Sequence, residues 1–190
     1  MKIAIVSGGF DPLHSGHIEY LNSAKANGDI LIVLLNSDAW LKNKKGRPFM
    51  SFSERKIILE NLEVVDEVLG FDDDDLGSCI NGLVKIKNKY PKSEIFFCNG
   101  GDRDKSNIPE LVVEGINFIF DAGGNKKINS SSWILKNWQG ESEDRVWGKF
   151  FNLYQNKQIK LKELIINSGK GMSLQKHFKR DEIWFVSEGK

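Results

Sequence analysis

Two histidines three residues apart, His14 and His17, sit at the end of a loop that runs Gly8-Gly9-Phe10-Asp11-Pro12-Leu13, and Gly16 stands between them. A neutral imidazole donates a hydrogen bond, and an imidazole beside an anion takes up a proton, because the anion raises its pKa through the physiological range. Glycines allow a backbone to come close to a ligand. A His-x-x-His pair alone fits a metal pair or a surface coincidence. This one lies between a strand and a helix, where backbone N–H groups and the positive end of the helix dipole converge. Such a point suits a phosphate, and two imidazoles at its edge suit charge developing on that phosphate. The loop is not a Walker loop, because it lacks the Gly-Lys-Ser/Thr ending.

The elements that position the loop can be read on both sides of it. Lys2 to Ser7 is apolar and β-branched and reads as a strand that cannot continue through the glycines and Pro12. Ile18, Leu21 and Ala24 follow helical spacing from about Gly16 to Asn27, with Gly28 as the stop. Ile30 to Leu35 is a continuous apolar run, as expected of a strand covered on both faces of a parallel sheet. A polar loop, Asn36-Ser37-Asp38, and a basic stretch from Lys42 to Pro48 follow it; Ser51 and Glu54 then have capping-box spacing and open a helix through about Leu62. Glu67 to Phe71 reads as a strand, Leu76 to Lys89 as a helix, and Ile95 to Cys98 and Asn117 to Phe120 as two further strands. This alternation specifies an α/β fold, a doubly wound, Rossmann-like parallel sheet with its ligands at the carboxyl ends of the strands. The rhythm stops at a polar linker, Trp138 to Asp144, beyond which Lys149 to Tyr154, Ile159 to Ile166 and Glu182 to Val186 read as strands. The expected division is 1–139, an α/β domain, and 140–190, a small all-β segment.

Composition excludes several classes of function. In 190 residues, 27 Lys and Arg against 26 Asp and Glu leave a net charge of +1, so no broad basic field points to nucleic acid or an anionic membrane. Cys79 and Cys98 form no C-x-x-C pair, which argues against a disulfide framework and for a reducing cytoplasm. The first strand is too short for a signal peptide's apolar core, and no apolar run reaches the ~18 residues of a membrane span. Asp72 to Asp75 reads as a solvated acidic cap before a helix.

From Ser7 to His17 the sequence resembles the H-x-G-H motif of the cytidylyltransferase-like nucleotidyltransferase superfamily, which follows a first strand and a G-x-F-D-x-x-H stretch. Gly46-Arg47-Pro48 through Arg55-Lys56 resembles its heptose and glycerol-phosphate branches. The resemblance implies transfer of a nucleoside monophosphate from a triphosphate to a phosphorylated polyol or sugar, with release of pyrophosphate. CTP is the first donor implied, from the glycerol-phosphate likeness, and ATP the second, from the heptose likeness, with Mg²⁺ accompanying the triphosphate. It implies His14, His17, Lys44 (or its neighbour Lys45) and Arg55 as catalytic residues. The nucleotide would be held by Gly8, Gly9, Phe10, Asp11, Gly16, Asp38, Gly100, Gly101, Asp102, Ser130 and Ser131. One segment departs from the pattern: where the family has R-T-x-G-I-S-T-T, this chain reads Asn125-Lys126-Lys127-Ile128-Asn129-Ser130-Ser131-Ser132, so the serines remain and a lysine must stand in for the arginine.

From Arg145 onward the tail is similar to the start of the cupin of sugar-phosphate isomerases and mannose-1-phosphate guanylyltransferases, through Gly171 to His177 and Glu182-Ile183-Trp184. His177 and Glu182 match two of that cupin's metal ligands, but Lys179 stands where the second histidine belongs. A cation there repels a metal. The expectation is a half-cupin with no competent metal site, whose open edges serve covering of the main domain or formation of a homodimer.

Overall fold

The computed structural model describes residues 1–100, 103–124, 129–138 and 142–189. It separates into two units, Met1–Leu135 and Lys136–Lys190.

The first unit is a parallel sheet wrapped by helices. Its strands are β1 (Lys2–Gly8), β2 (Ile30–Leu35), β3 (Glu67–Gly70), β4 (Glu94–Cys98) and β5 (Asn117–Ile119), in the order β3-β2-β1-β4-β5. Ile3, Ala4, Ile5 and Val6 of β1 and Leu31 through Leu35 of β2 are fully buried, and the alternation of side chains divides them between two layers. Ala4, Val6, Leu31 and Val33 pack with Leu21 and Ala24 of helix α1 (Ser15–Lys25) on one face. Ile3, Ile5, Ile32 and Leu34 pack with Leu83 and Ile86 of a helix over Ile80–Lys89 on the other. Gly8 pairs with Leu35 and Leu35 with Gly70, so the loops after β1, β2 and β3 leave the sheet at one level. The chain runs from β1 to β2 and β3 on one side and to β4 and β5 on the other. The loop after β1 therefore lies at the topological switch point, where open α/β sheets form a crevice.

Three local expectations are corrected in this unit. The stretch read as loop and basic segment contains helix α2 (Asp38–Lys45), capped by Ser37, whose hydroxyl accepts from Trp40 N at 2.9 Å. Its polar composition hides the helical period, and it stops at Gly46, where φ is 85°. Helix α3 (Phe52–Glu60) starts as expected, with Ser51 Oγ accepting from Glu54 N. Helix α4 (Ile80–Lys89) begins later than Leu76, because residues 74–78 form a turn in which the Asp74 carboxylate accepts from both N–H and hydroxyl of Ser78. The acidic run therefore does not cap α4. Cys79 N at its start donates instead to Glu110 of a short 3-10 helix, Pro109–Val112.

The second unit holds an antiparallel sheet, β6 (Ser142–Arg145), β7 (Gly148–Gln155) and β8 (Lys160–Ile166). β6 lies in what reads as a linker, because four polar residues give no apolar signal. Gly148 closes the β6–β7 turn with φ at 149°, and a Cβ there would meet Ile165 O at 2.0 Å. Glu182 to Val186, expected as a strand, is irregular and pairs with no described strand.

Candidate functional site

The glycine loop is shaped by close packing. A Cβ on Gly9 would lie 2.8 Å from Leu41 of α2, and one on Gly8 would lie 3.1 Å from the Phe10 ring. Phe10 itself takes a left-handed φ of 48°, buried, with its ring centroid 4.9 Å from that of His17. Such a conformation in a non-glycine residue persists only where its surroundings hold it. His14 is the N-cap of α1, and its carbonyl accepts from His17 N at 2.9 Å. The two rings stack at 3.8 Å with an interplanar angle of 21°. Gly16 fits between them and the loop at residue 129: a Cβ would lie 3.2 Å from the His14 ring and 3.6 Å from Asn129 N.

Asn129 leads into helix α5 (Ser131–Trp138), whose cap is Ser130, accepting from Trp133 N at 3.2 Å. Ser131 donates its hydroxyl to Pro12 O at 3.0 Å and so ties the start of α5 to the glycine loop. The beginnings of α1 and α5 thus meet at the histidine pair. His17 N and Trp133 N are bonded to the cap residues, and the amides before them at each helix start have no intrahelical carbonyl to bond.

Burial governs the charge of His17 in the absence of a ligand. Burial first, then the neighbouring His14 and Lys45, push the His17 pKa down to about 3, so His17 is neutral at pH 7 before any anion binds. Its Nδ1 is buried and has no hydrogen-bond partner among the described residues. Lys45 is the lysine that reaches this region: its Nζ donates to Asp11 O at 2.9 Å. Burial lowers the pKa of that amine, with Asp11 opposing and Arg55 adding to the effect. Lys44, the expected catalytic lysine, instead lies 4.4 Å above the Trp40 ring.

Three charged residues expected at the ligand are committed to the scaffold. Asp11 is 1% exposed, and its two oxygens accept from Phe49 N and Met50 N, each at 2.8 Å. Arg55, also 1% exposed, donates to Gly9 O at 2.8 Å, Asn36 O at 2.9 Å, Met50 O at 3.2 Å and the Asp38 carboxylate at 2.6 Å. Asp38 completes the clamp by accepting from Phe52 N at 3.0 Å. These groups hold the loops after β1 and β2 and the start of α3 in register. An Asp in a glycine loop and an Asp or Arg near a helix start carry the same sequence signal whether they face a ligand or a ring of backbone groups. Asn36, buried with its carbonyl on Arg55, is a residue that sequence reading missed.

Gly100 packs against α1, since a Cβ there would lie 2.7 Å from Ala122 O and 3.0 Å from the Tyr20 ring. Tyr20 in turn donates to Cys98 O at 2.6 Å. Gly101, Asp102, Lys126 and Lys127 lie outside the described residues. In the second unit, Arg180 stands 2.7 Å from His177 Nε2 and 2.9 Å from Glu182 Oε1. His177 Nε2 and Glu182 Oε1 lie 3.2 Å apart, and a guanidinium in contact with both of these atoms does not suit a divalent cation there.

Residues 5–121, more than half of the chain, match a family model described as cytidylyltransferase-like, and residues 136–190 match one described as mannose-6-phosphate isomerase C-terminal. A protein of Wolinella succinogenes named bifunctional protein HldE is 51% identical over 75 residues, which cover 38% of this chain and 16% of that protein. One of the same name from Enterobacter sp. is 42% identical over 112 residues, covering 53% of this chain and 24% of that protein. The matched stretches thus span less than a quarter of these relatives. A solved structure described as a lipopolysaccharide core biosynthesis protein from Thermoplasma volcanium is 24% identical, with a TM-score of 0.48 over 64% of this chain and 95% of that chain.

Proposed function

The chain belongs to the cytidylyltransferase-like family, and from that premise we propose that its first unit transfers a nucleoside monophosphate from a triphosphate to a phosphorylated polyol or sugar. The observation that carries this reading is the meeting of two helix starts at the stacked pair of His14 and His17. An oxygen of the acceptor phosphate attacks the α-phosphorus; that P–O bond forms as the bond to the β-phosphate oxygen breaks, and pyrophosphate leaves with the electron pair. Positioning and charge stabilisation are then the whole of the catalysis. Amides at the starts of α1 and α5 cradle phosphate oxygens, and His14 and His17 donate to them. An arriving triphosphate raises the pKa of His17 from its low value, so the imidazole strengthens as a donor when charge is present. Lys45, whose amine rests on Asp11 O, supplies a positive charge beside the pair. Arg55, Asp11 and Asp38 act one layer behind, by fixing the loop.

Mg²⁺ would arrive on the triphosphate. Both Asp11 oxygens and both Asp38 oxygens already accept hydrogen bonds, and the described residues form no cluster of three metal-binding side chains. The described residues therefore do not fit a dedicated metal cage. CTP is the first donor in this reading, and ATP the second, through the likeness of Gly46 to Lys56 to the heptose branch. Pyrophosphate release, screened with CTP, ATP, GTP and UTP against a panel of sugar and polyol phosphates, tests it. Release with one donor and one acceptor class supports transfer; tight nucleotide binding with no release across the panel overturns it in favour of a binding module.

A further inference from the structure

Tyr20 sits one turn after His17 on α1, a spacing that puts both side chains on one face of the helix. Its hydroxyl donates to Cys98 O at 2.6 Å. Burial holds the phenol above the ordinary tyrosine range, so the hydroxyl keeps its proton and remains a donor. The ring packs where Gly100 has no side chain: a Cβ there would lie 3.0 Å from Tyr20 Cδ2 and 3.2 Å from Cε2. The Tyr20 backbone packs where Gly123 has none, since a Cβ on Gly123, whose φ is 85°, would lie 3.1 Å from Tyr20 Cα. One residue of α1 therefore touches the chain just past β4 and just past β5. Those two stretches are tied to each other, because Asn99 N donates to Ile119 O at 2.7 Å and Ala122 N donates to Asn99 O at 3.0 Å.

These contacts fall where the sheet opens. β1 stays paired with β2 up to Gly8 and Leu35, but its pairing with β4 ends at Ile5 and Phe97. Beyond that pair the two strands part, and Cys98 is the next residue of β4. The tyrosine hydroxyl thus holds a carbonyl at the edge of the crevice between β1 and β4, where open α/β sheets take their ligands. A triphosphate with its phosphates at the starts of α1 and α5 leaves its nucleoside to lie along that crevice. On the β2 side, Arg55 and Asp38 close the loops after β1 and β2 onto each other. The β4 side ends in Asn99 and Gly100, which Tyr20 holds against α1.

We propose that Tyr20 is a positioning residue for the nucleoside of the triphosphate, a role that rests on nucleotidyl transfer as the activity of the first unit. Its hydroxyl on Cys98 O and its ring against Gly100 set the distance between the histidine pair and the far wall of the crevice, and with it the choice of base. Tyr20 touches no phosphate in this role; it acts through Asn99 and Gly100.

Titration calorimetry on the full chain tests it with CTP, ATP and inorganic tripolyphosphate, which has the phosphates and no nucleoside. Loss of one neutral hydrogen bond in Tyr20→Phe weakens the better-bound nucleotide roughly fivefold and narrows the ratio between CTP and ATP, while tripolyphosphate binds within about twofold of the parent. In turnover the loss appears in KM with kcat nearly unchanged, because a nucleoside held by this wall is held equally before and in the transition state. Hydrogen exchange on the parent needs no variant: the better-bound nucleotide slows exchange in the peptide that carries Asn99 and Gly100, and tripolyphosphate does not. A lower urea midpoint with nucleotide affinities and their ratio unchanged makes Tyr20 structural only and overturns the proposal, as does an equal loss of tripolyphosphate affinity. A parent that binds tripolyphosphate but neither nucleotide overturns this role and the transferase reading together. A parent that binds a nucleotide, weakens selectively in Tyr20→Phe and releases no pyrophosphate leaves the role of Tyr20 in nucleoside placement standing and the transferase reading fallen.

Discussion

Arg55 offers the sharpest contrast between a phosphate ligand and a clamp. Replacing it with alanine removes a fully buried guanidinium and four hydrogen bonds, leaving the carbonyls of Gly9, Asn36 and Met50 and the Asp38 carboxylate without their donor. Breaking one partner from a buried ion pair costs about 3–5 kcal/mol. Asp38 is 43% exposed at its side chain and can return to water, so the loss comes mainly from the stranded carbonyls and the cavity, and the lower end, about 3 kcal/mol, is expected. Against a total stability of about 5–15 kcal/mol this is severe but need not unfold the chain. With a urea m-value of about 1–3 kcal/mol/M, the midpoint falls by roughly 1–3 M. Arg55→Lys keeps the charge and the Asp38 contact but cannot span three carbonyls, so its loss is smaller, roughly half. Urea melts and triphosphate titrations on both variants check this. A clamp predicts that Arg55→Lys, where folded, keeps triphosphate affinity within a few-fold of the parent. Unchanged urea midpoints together with a large loss of triphosphate affinity would refute the reasoning and return Arg55 to the ligand.

Other perturbations separate neighbouring roles. Gly16→Ala adds a Cβ 3.2 Å from the His14 ring at an ordinary helical φ, so turnover should fall by roughly tenfold or more while the melting temperature stays level or rises slightly. Lys45→Ala should weaken triphosphate binding roughly tenfold, and Lys44→Ala should change it less than about twofold, as read by titration calorimetry. Folded His17 takes its proton near pH 3 and the unfolded chain near 6.5, so the unfolded state holds the extra proton between those values. Stability from this residue is therefore present above pH 6.5 and lost as pH falls toward 3, and His17→Gln should flatten the pH dependence of the urea midpoint in that window.

The parallel sheet was legible because its inner strands are unbroken apolar runs, a signal that both-face burial imposes on Ile3 to Val6 and Ile30 to Leu35. Helix α2 was not, because a short polar helix with Trp40 and Leu41 as its large apolar residues has too little period to read. The site was legible in part. The histidines and Gly16 stand out because the run His14-Ser15-Gly16-His17 falls where a glycine loop meets a helix start, a junction that the sequence pattern itself marks. Lys44 and Lys45 are adjacent in sequence but about 100° apart around α2, so only the packed structure tells the one over Trp40 from the one at Asp11. The roles of Asp11, Asp38 and Arg55 were hidden for another reason: apart from the Arg55–Asp38 ion pair, their partners are backbone groups from residues 9, 36, 49, 50 and 52, which no side-chain motif records.

Transfer of the α-phosphoryl group can be followed directly, by supplying triphosphate labelled at the α-phosphorus, or separately at the γ-phosphorus, together with a phosphorylated polyol or sugar that passed the pyrophosphate screen. Nucleotidyl transfer predicts that α label appears in the acceptor product and γ label in pyrophosphate, in equal amounts. It also predicts that His17→Ala abolishes both while keeping the parent's circular dichroism. Passage of γ label to the acceptor, or turnover that survives His17→Ala, would contradict it.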